Sequence, residues 1–233
     1  MSFVEYSTVQ RVGTSLATGL VGSLNDLDGS LRFALYLPPS PSTKLEILWR
    51  TMLGDSDATG STTRTCPASK DIGLRFQTYV SHKIVAALRL ARKQGLQDAT
   101  FWKSNSTYLE LIQNKELPSQ AAIEQMASEM AAHGLDESTF ETEVNESLRL
   151  EEQQNICMGR RFFTTACGNL GLGPRSSQKG DIVAFIRNCK IPMILRKRAS
   201  GRYIVIGEAY IHGYMHGEFL ERGHPSFEKI IIQ

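Results

Sequence analysis

Between Arg160 and Glu218 the chain is cut every few residues by glycine, proline or a basic turn, and what stands between the cuts is short, β-branched and aromatic: RRFFTTA, DIVAFI, PMILR, RYIVIGEAYI. Runs this short are too brief for helices of three or four turns, but they suit strands joined by tight turns. On that grammar, residues 161–166 and 181–186 are predicted strands. Residues 192–196 and 203–211 form a pair joined by the basic turn 197–202, and 227–232 form a last strand. The glycine-rich run GNLGLGP, 168–174, is predicted to be a structural turn or bulge. Its glycines fall G-x-x-G-x-G ahead of a proline and another strand, an order that fits neither a P-loop nor a dinucleotide fold. In the longest of these runs Glu208, Tyr210 and His212 recur at period two, which puts them on one strand face, either a solvated surface or a pocket wall.

Upstream the hydrophobic period changes from two to 3.6. Leu45, Leu48, Trp49 and Met52 stand at i, i+3, i+4 and i+7 and predict an amphipathic helix over 44–53, closed by Gly54. Phe76, Val80, Ile84, Ala87, Leu88 and Ala91 predict a longer helix over 74–94, entered after Pro67 and ended by Gly95. Ile123, Met126, Ala127, Met130 and Ala131 mark a third over 118–132, between Pro118 and Gly134. A fourth is predicted from Asp136 toward Met158, its acidic run a solvated face. Residues 29–36 alternate loosely and stop at Pro38-Pro39, and are predicted as a short strand; the small polar residues 55–65 read as a mobile loop or lid. The predicted class is α+β: a single domain over 1–233, with a central helical region (about 44–158) packed on a small, strongly bent antiparallel sheet or barrel in the C-terminal third (about 159–233).

Charge and cysteine usage narrow the function. Lys and Arg number 26 against 24 Asp and Glu, so no global field gathers nucleic acid or an anionic membrane, and the basic turn at Arg196, Lys197, Arg198 and Arg202 reads as a solvated hairpin tip. The longest purely apolar run, 182–186, is far below the ~20 residues a membrane span needs. The N-terminus has no basic lead-in and carries Glu5 and Arg11, unlike a signal peptide, so a cytoplasmic location without a membrane span is expected. Cys66, Cys157, Cys167 and Cys189 form no C-x-x-C pair and are expected to be buried reduced thiols. His212 and His216 stand four apart, but Gly213 and Gly217 follow them and argue against the helix that would make a metal pair, so no metal and no cofactor are expected. No G-x-S-x-G elbow or Cys-His context supports nucleophilic catalysis.

The segments LWRTMLGD (48–55), RFF (161–163), GLGP (171–174), GD (180–181), PMILR (192–196) and GEAYIHGYMHGE (207–218) resemble, in order and spacing over roughly 44–220, the C-terminal region of fungal heterokaryon-incompatibility (HET) proteins. With about 40 residues ahead of Leu45, the HET signalling domain that precedes this region in the family is expected to be missing. The chain is similar in size to small stand-alone HET-like proteins of fungal natural-product clusters, which include a norbornene-forming Diels–Alderase. That resemblance implies a cofactor-independent pericyclase, cyclising a hydrophobic oxidised terpenoid by an intramolecular Diels–Alder reaction. Such chemistry needs no nucleophile or metal, only a folded substrate and a hydrogen bond to its activating carbonyl, commonly worth ~2 to 4 kcal/mol. Tyr210, His212 and Arg50 are the candidate catalytic donors, and Trp49, Phe162, Glu208, Tyr214, Met215 and His216 the candidate substrate-binding residues. The expected partner is a small hydrophobic substrate, with no nucleic acid, and the sequence leaves room for a homo-oligomer. The alternative is a non-enzymatic HET-like interaction or regulatory module.

Overall fold

The first strand, β1 (Ser2–Leu16), is the spine of the sheet, although no strand was predicted there. The computed structural model describes residues 2–16, 24–56, 66–134, 157, 159–221 and 227–233. Along β1, Phe3, Ser7 and Val9 are buried, the inward phase of a two-residue period. Its two halves serve different neighbours: Thr8 pairs with Ile182 of β4 (Ile182–Ile186), and Val9 with Thr165 of β2 (Arg160–Thr165), with register shifts in both ladders. Such irregularities bend a strand and sharpen its twist, which lets one strand continue from one part of a curled sheet into another.

The helical layer follows. Residues 29–36 are not a strand but lie largely in helix α1 (Leu24–Leu35). The apolar residues that looked alternating also satisfy helical spacing: Leu31 and Ala34 are buried three apart, and Asp28 pairs with Arg32 at i, i+4 (2.7 Å). Helix α2 (Lys44–Met52) forms as expected, its first turn capped by Thr43, whose Oγ1 accepts from the Glu46 amide at 3.1 Å. Helix α3 (Lys70–Lys93) begins four residues before the predicted start. Helices α4 (Asp98–Ser104) and α5 (Ser106–Gln113), each too short to display a clear period, were not foreseen, though Phe101, Trp102, Tyr108 and Leu111 anchor them in the core. Helix α6 (Gln120–Ala132) is capped by Ser119, which accepts from the Ala122 amide at 3.2 Å. Apart from Cys157, the predicted fourth helix falls outside the described residues, as do 57–65 of the predicted lid.

The remaining strands are β3 (Leu170–Pro174), β5 (Met193–Lys197), β6 (Tyr203–Glu208), β7 (Tyr210–Ile211) and β8 (Glu228–Lys229), with a one-turn helix α7 (Glu218–Glu221) before the last. The glycine-rich run is therefore a correction: most of it is strand β3, paired along its length with β2. Glycine is required there because the Phe163 ring lies across the strand. A Cβ at Gly171 would stand 2.4 Å from Phe163 Cζ. The predicted strand 203–211 is a second correction, being split at Ala209, whose amide donates to Pro192 O at 2.9 Å.

That split closes the molecule. The sheet runs β6-β5-β4-β1-β2-β3-β7, every adjacent pair antiparallel, with β8 beside β1. Its two edge strands, β6 and β7, are consecutive in the chain with only Ala209 between them, so the open sheet curls until these edges come close. Contacts cross the seam. Arg160 reaches the Glu208 carboxylate at 3.8 Å, and Gly207 packs so tightly on Pro174 that a Cβ would lie 2.7 Å from its Cγ. Val9, Phe163, Val183, Ile194 and Ile211 fill the interior of this barrel. Phe162, one residue from Phe163 and so on the opposite face, joins Leu170, Leu172 and Tyr210 in a core shared with Leu48, Phe76, Ile84 and Leu88 of the helices. Each of these fully buried side chains contributes about 1.5–3 kcal/mol relative to exposure.

Of the thiols, Cys157 alone among the four is buried, donating to Met52 O at 2.6 Å, and burial pushes its pKa up to about 12. Cys66, Cys167 and Cys189 are exposed, contrary to expectation, because they lie in turns between elements rather than on inward faces. No helix among the described residues is long and apolar enough to cross a membrane.

Candidate functional site

Where α2 ends against the turn that follows β7, polar side chains gather on one carboxylate, that of Asp55. Gly54 (φ 60°) and Asp55 (φ 50°) turn left-handed in succession, so the chain doubles back, with the Asp55 amide on Arg50 O at 2.7 Å. The carboxylate then faces the last turn of α2. Arg50 donates through one terminal nitrogen to Asp55 and to Ala68 O (3.2 Å), and through Nε to Glu46 (3.0 Å), while its guanidinium lies over the Trp49 ring at 4.4 Å. Asp55 also accepts from the Ala68 amide at 3.3 Å, and its second oxygen meets His216 Nε2 at 2.8 Å. His216 is itself positioned by its own amide, which donates to Glu218 at 2.7 Å. Burial opposes the Arg50 charge, but the bonds from Asp55 and Glu46 outweigh it and raise its pKa above the usual value.

Tyr210 and His212 stand within electrostatic reach of the same group. Burial first, then the Asp55 charge, pushes the Tyr210 pKa upward, so its phenol stays protonated. Burial lowers the His212 pKa, with Asp55 opposing and Arg50 assisting, so its imidazole is neutral near pH 7. Its amide donates to Leu170 O at 3.0 Å, and its Nδ1 is buried without a hydrogen-bond partner among the described residues.

The structure thus bonds Arg50 and His216 to one acidic residue, Asp55, which composition reads as the start of a loop, and leaves Tyr210 and His212 within its electrostatic reach. The visible signal for Asp55 was an acid placed directly after the glycine that ends α2, five residues beyond an arginine. Glu208 does not join them. The break at Ala209 ends the period-two face, leaving Glu208 exposed on β6 at the seam, Tyr210 buried on β7 and His212 in the turn beyond. Phe162 is core between barrel and helices. Trp49 underlies Arg50 and packs against Gly73, where a Cβ would meet its indole nitrogen at 3.1 Å. Tyr214 packs at a tilt against Tyr6 (4.5 Å) in an aromatic group with the stacked pair Phe185 and Phe219, and Met215 Sδ accepts from the Ile211 amide at 3.4 Å. Among the described residues no three His, Cys, Asp or Glu side chains converge as a metal site requires.

Both arms of this cluster, α2 with Asp55 and the turn carrying His216, fall inside residues 40–226, the stretch matched by the family model of the Het-6 beta-barrel domain. The chain belongs to that family. A stretch of 66 residues is 36% identical to heterokaryon incompatibility protein 6, OR allele, of Neurospora crassa. The aligned stretch takes in 27% of this chain and 10% of that relative. No solved structure matches the chain. The HET likeness is thus shown, whereas neither match carries the resemblance to a Diels–Alderase. The barrel of the family description agrees with the sheet joined through Ala209, yet the matched stretch leaves out β1, the strand at the centre of that sheet.

Proposed function

We propose that this Het-6 barrel chain is a non-enzymatic interaction or regulatory module of the heterokaryon-incompatibility type. The observation that carries this reading is that the polar residues of its two most distinctive segments, Arg50 with Asp55 and His216, are spent on one another. An enzyme accelerates a reaction only through contacts that strengthen in the transition state. A guanidinium already bonded to two carboxylates and a carbonyl, and an imidazole directed at a buried acid, hold one part of the fold to another and offer a substrate little.

A second reading, a norbornene-forming Diels–Alderase for a hydrophobic oxidised terpenoid, is favoured by one feature. The protonated Tyr210 and the neutral His212 are uncharged hydrogen-bonding groups of the sort that could activate a substrate carbonyl. One experiment separates the two. A cyclopentadiene-bearing enal is incubated with the native chain, the boiled chain and Tyr210→Phe, and the purified chain is titrated calorimetrically with a purified HET signalling domain. The module reading expects saturable binding in the titration, with cycloaddition rates and product ratios equal in native and boiled samples. Acceleration by the native chain that Tyr210→Phe removes would overturn it, and so would a titration without binding heat.

A further inference from the structure

A cavity of about 440 Å3 lies between the proline turn that follows α1 and the turn joining β2 to β3, its walls including Leu37, Pro38, Ile47, Cys167, Asn169 and His212. Both rims are fixed before anything binds. Lys44 Nζ donates to the carbonyls of Leu37 and Pro38, the latter at 2.8 Å. Gly168 of the opposite turn sits so close to Pro38 that an added Cβ would lie 2.6 Å from its Cγ. Asn169 is held twice, its Oδ1 accepting from the Tyr6 hydroxyl at 2.6 Å and its amide donating to Thr165 Oγ1 at 3.0 Å, while its side-chain NH2 takes no partner among the described residues. A pre-shaped cavity loses little entropy when it is filled.

The lining has a definite chemistry. No Asp, Glu, Lys or Arg is among the residues that form it, and His212 is held neutral by its burial. A charged guest would be desolvated there with no charged side chain in the lining, and a pure hydrocarbon would displace water from the Asn169 side-chain NH2 without replacing its hydrogen bond. From these walls we infer that the cavity is a binding site for a small uncharged molecule with a compact apolar body and one carbonyl or hydroxyl group. The apolar body packs on Pro38, Leu37 and Ile47, and its oxygen bonds the polar side formed by His212 and Asn169. The site does not depend on whether the chain catalyses a reaction, since binding alone fulfils it.

Cys167, exposed at the cavity wall, supplies a reporter, and Cys66 and Cys189, exposed but not part of this lining, supply references in the same molecule. Alkylation of the three thiols by iodoacetamide is followed by peptide mass, with camphor as the probe, camphane as the same skeleton without its oxygen, and camphorsulfonate as a charged analogue. At roughly nine-tenths occupancy camphor slows alkylation of Cys167 saturably, by about tenfold, and leaves the reference thiols unchanged. Camphane and camphorsulfonate at the same concentration give less than about a twofold effect, and His212→Phe abolishes the preference for camphor over camphane. Equal protection by camphane, protection by camphorsulfonate, or no saturable protection by camphor overturns the proposal. The comparison of camphor with camphane uses the unaltered chain, so it stands even if the variant fails to fold.

Discussion

Asp55 shows how much can rest on one side chain. Its 8% exposed carboxylate neutralises Arg50, whose side chain is 14% exposed, and holds His216 in a turn 161 residues further along. Asp55→Asn keeps the left-handed backbone, which asparagine tolerates, and removes the charge. Arg50 then keeps only Glu46 as a partner carboxylate, and the loss of its more buried counter-ion is expected to lower the unfolding free energy by about 2 kcal/mol, read from urea denaturation. His216→Ala is expected to cost only about 1 kcal/mol, because that side chain is 34% exposed and water screens its pair. A reversed ranking would show that the turn carrying His216, not the arginine, depends on the carboxylate. Arg50, Tyr210 and His212 were legible as polar marks within apolar segments. Asp55 was not, because composition reads the residues after Gly54 as loop and contains nothing about a left-handed turn that points one of them back at α2.

The elements divide according to how local their causes are. Helices α2, α3 and α6 carry their apolar stripes and stops within their own residues, and the sequence predicts all three. The strand β3 owes its glycines to Phe163 on the neighbouring strand, and α1 owes its burial to α2, so for both of these local pattern pointed to another structure. If β3 is glycine-rich because a ring covers it, Gly171→Ala should lower stability by about 2–3 kcal/mol through overpacking. Gly201→Ala, at the β5–β6 hairpin with φ 78° and no neighbour within 4 Å, should cost only about 1 kcal/mol of backbone strain. Thermal unfolding of both variants checks the order. Equal losses would mean that Phe163 moves aside freely.

At the level of the whole molecule, the barrel depends on residues at both ends of the chain. β1 carries a ladder on each side, and the edges β6 and β7 meet only when every strand between them is in register. A chain beginning at residue 40, where the family match starts, lacks α1 as well as β1 and is therefore expected to keep most of its far-UV helical signal but to lose cooperative urea unfolding and near-UV fine structure, since β2 and β4 are left with open edges and the face of α2 that packs on α1 is bared. A sharp transition at an unchanged midpoint would show that the barrel closes without β1. The sequence announced the bent sheet through its turns but not the closing strand, whose partners lie more than 140 positions away in the chain.

That separation also sets a clock on synthesis. β1 leaves the ribosome well before β2, and Val9 cannot meet Thr165 until the far side of the barrel has been made. At about 5–20 residues per second the nascent segment waits roughly 10 to 30 seconds with its pairing edges bare. Over that interval its best protection is a chaperone, or the alternating Ser, Thr and Gln side chains that keep the waiting segment from sticking to its own kind.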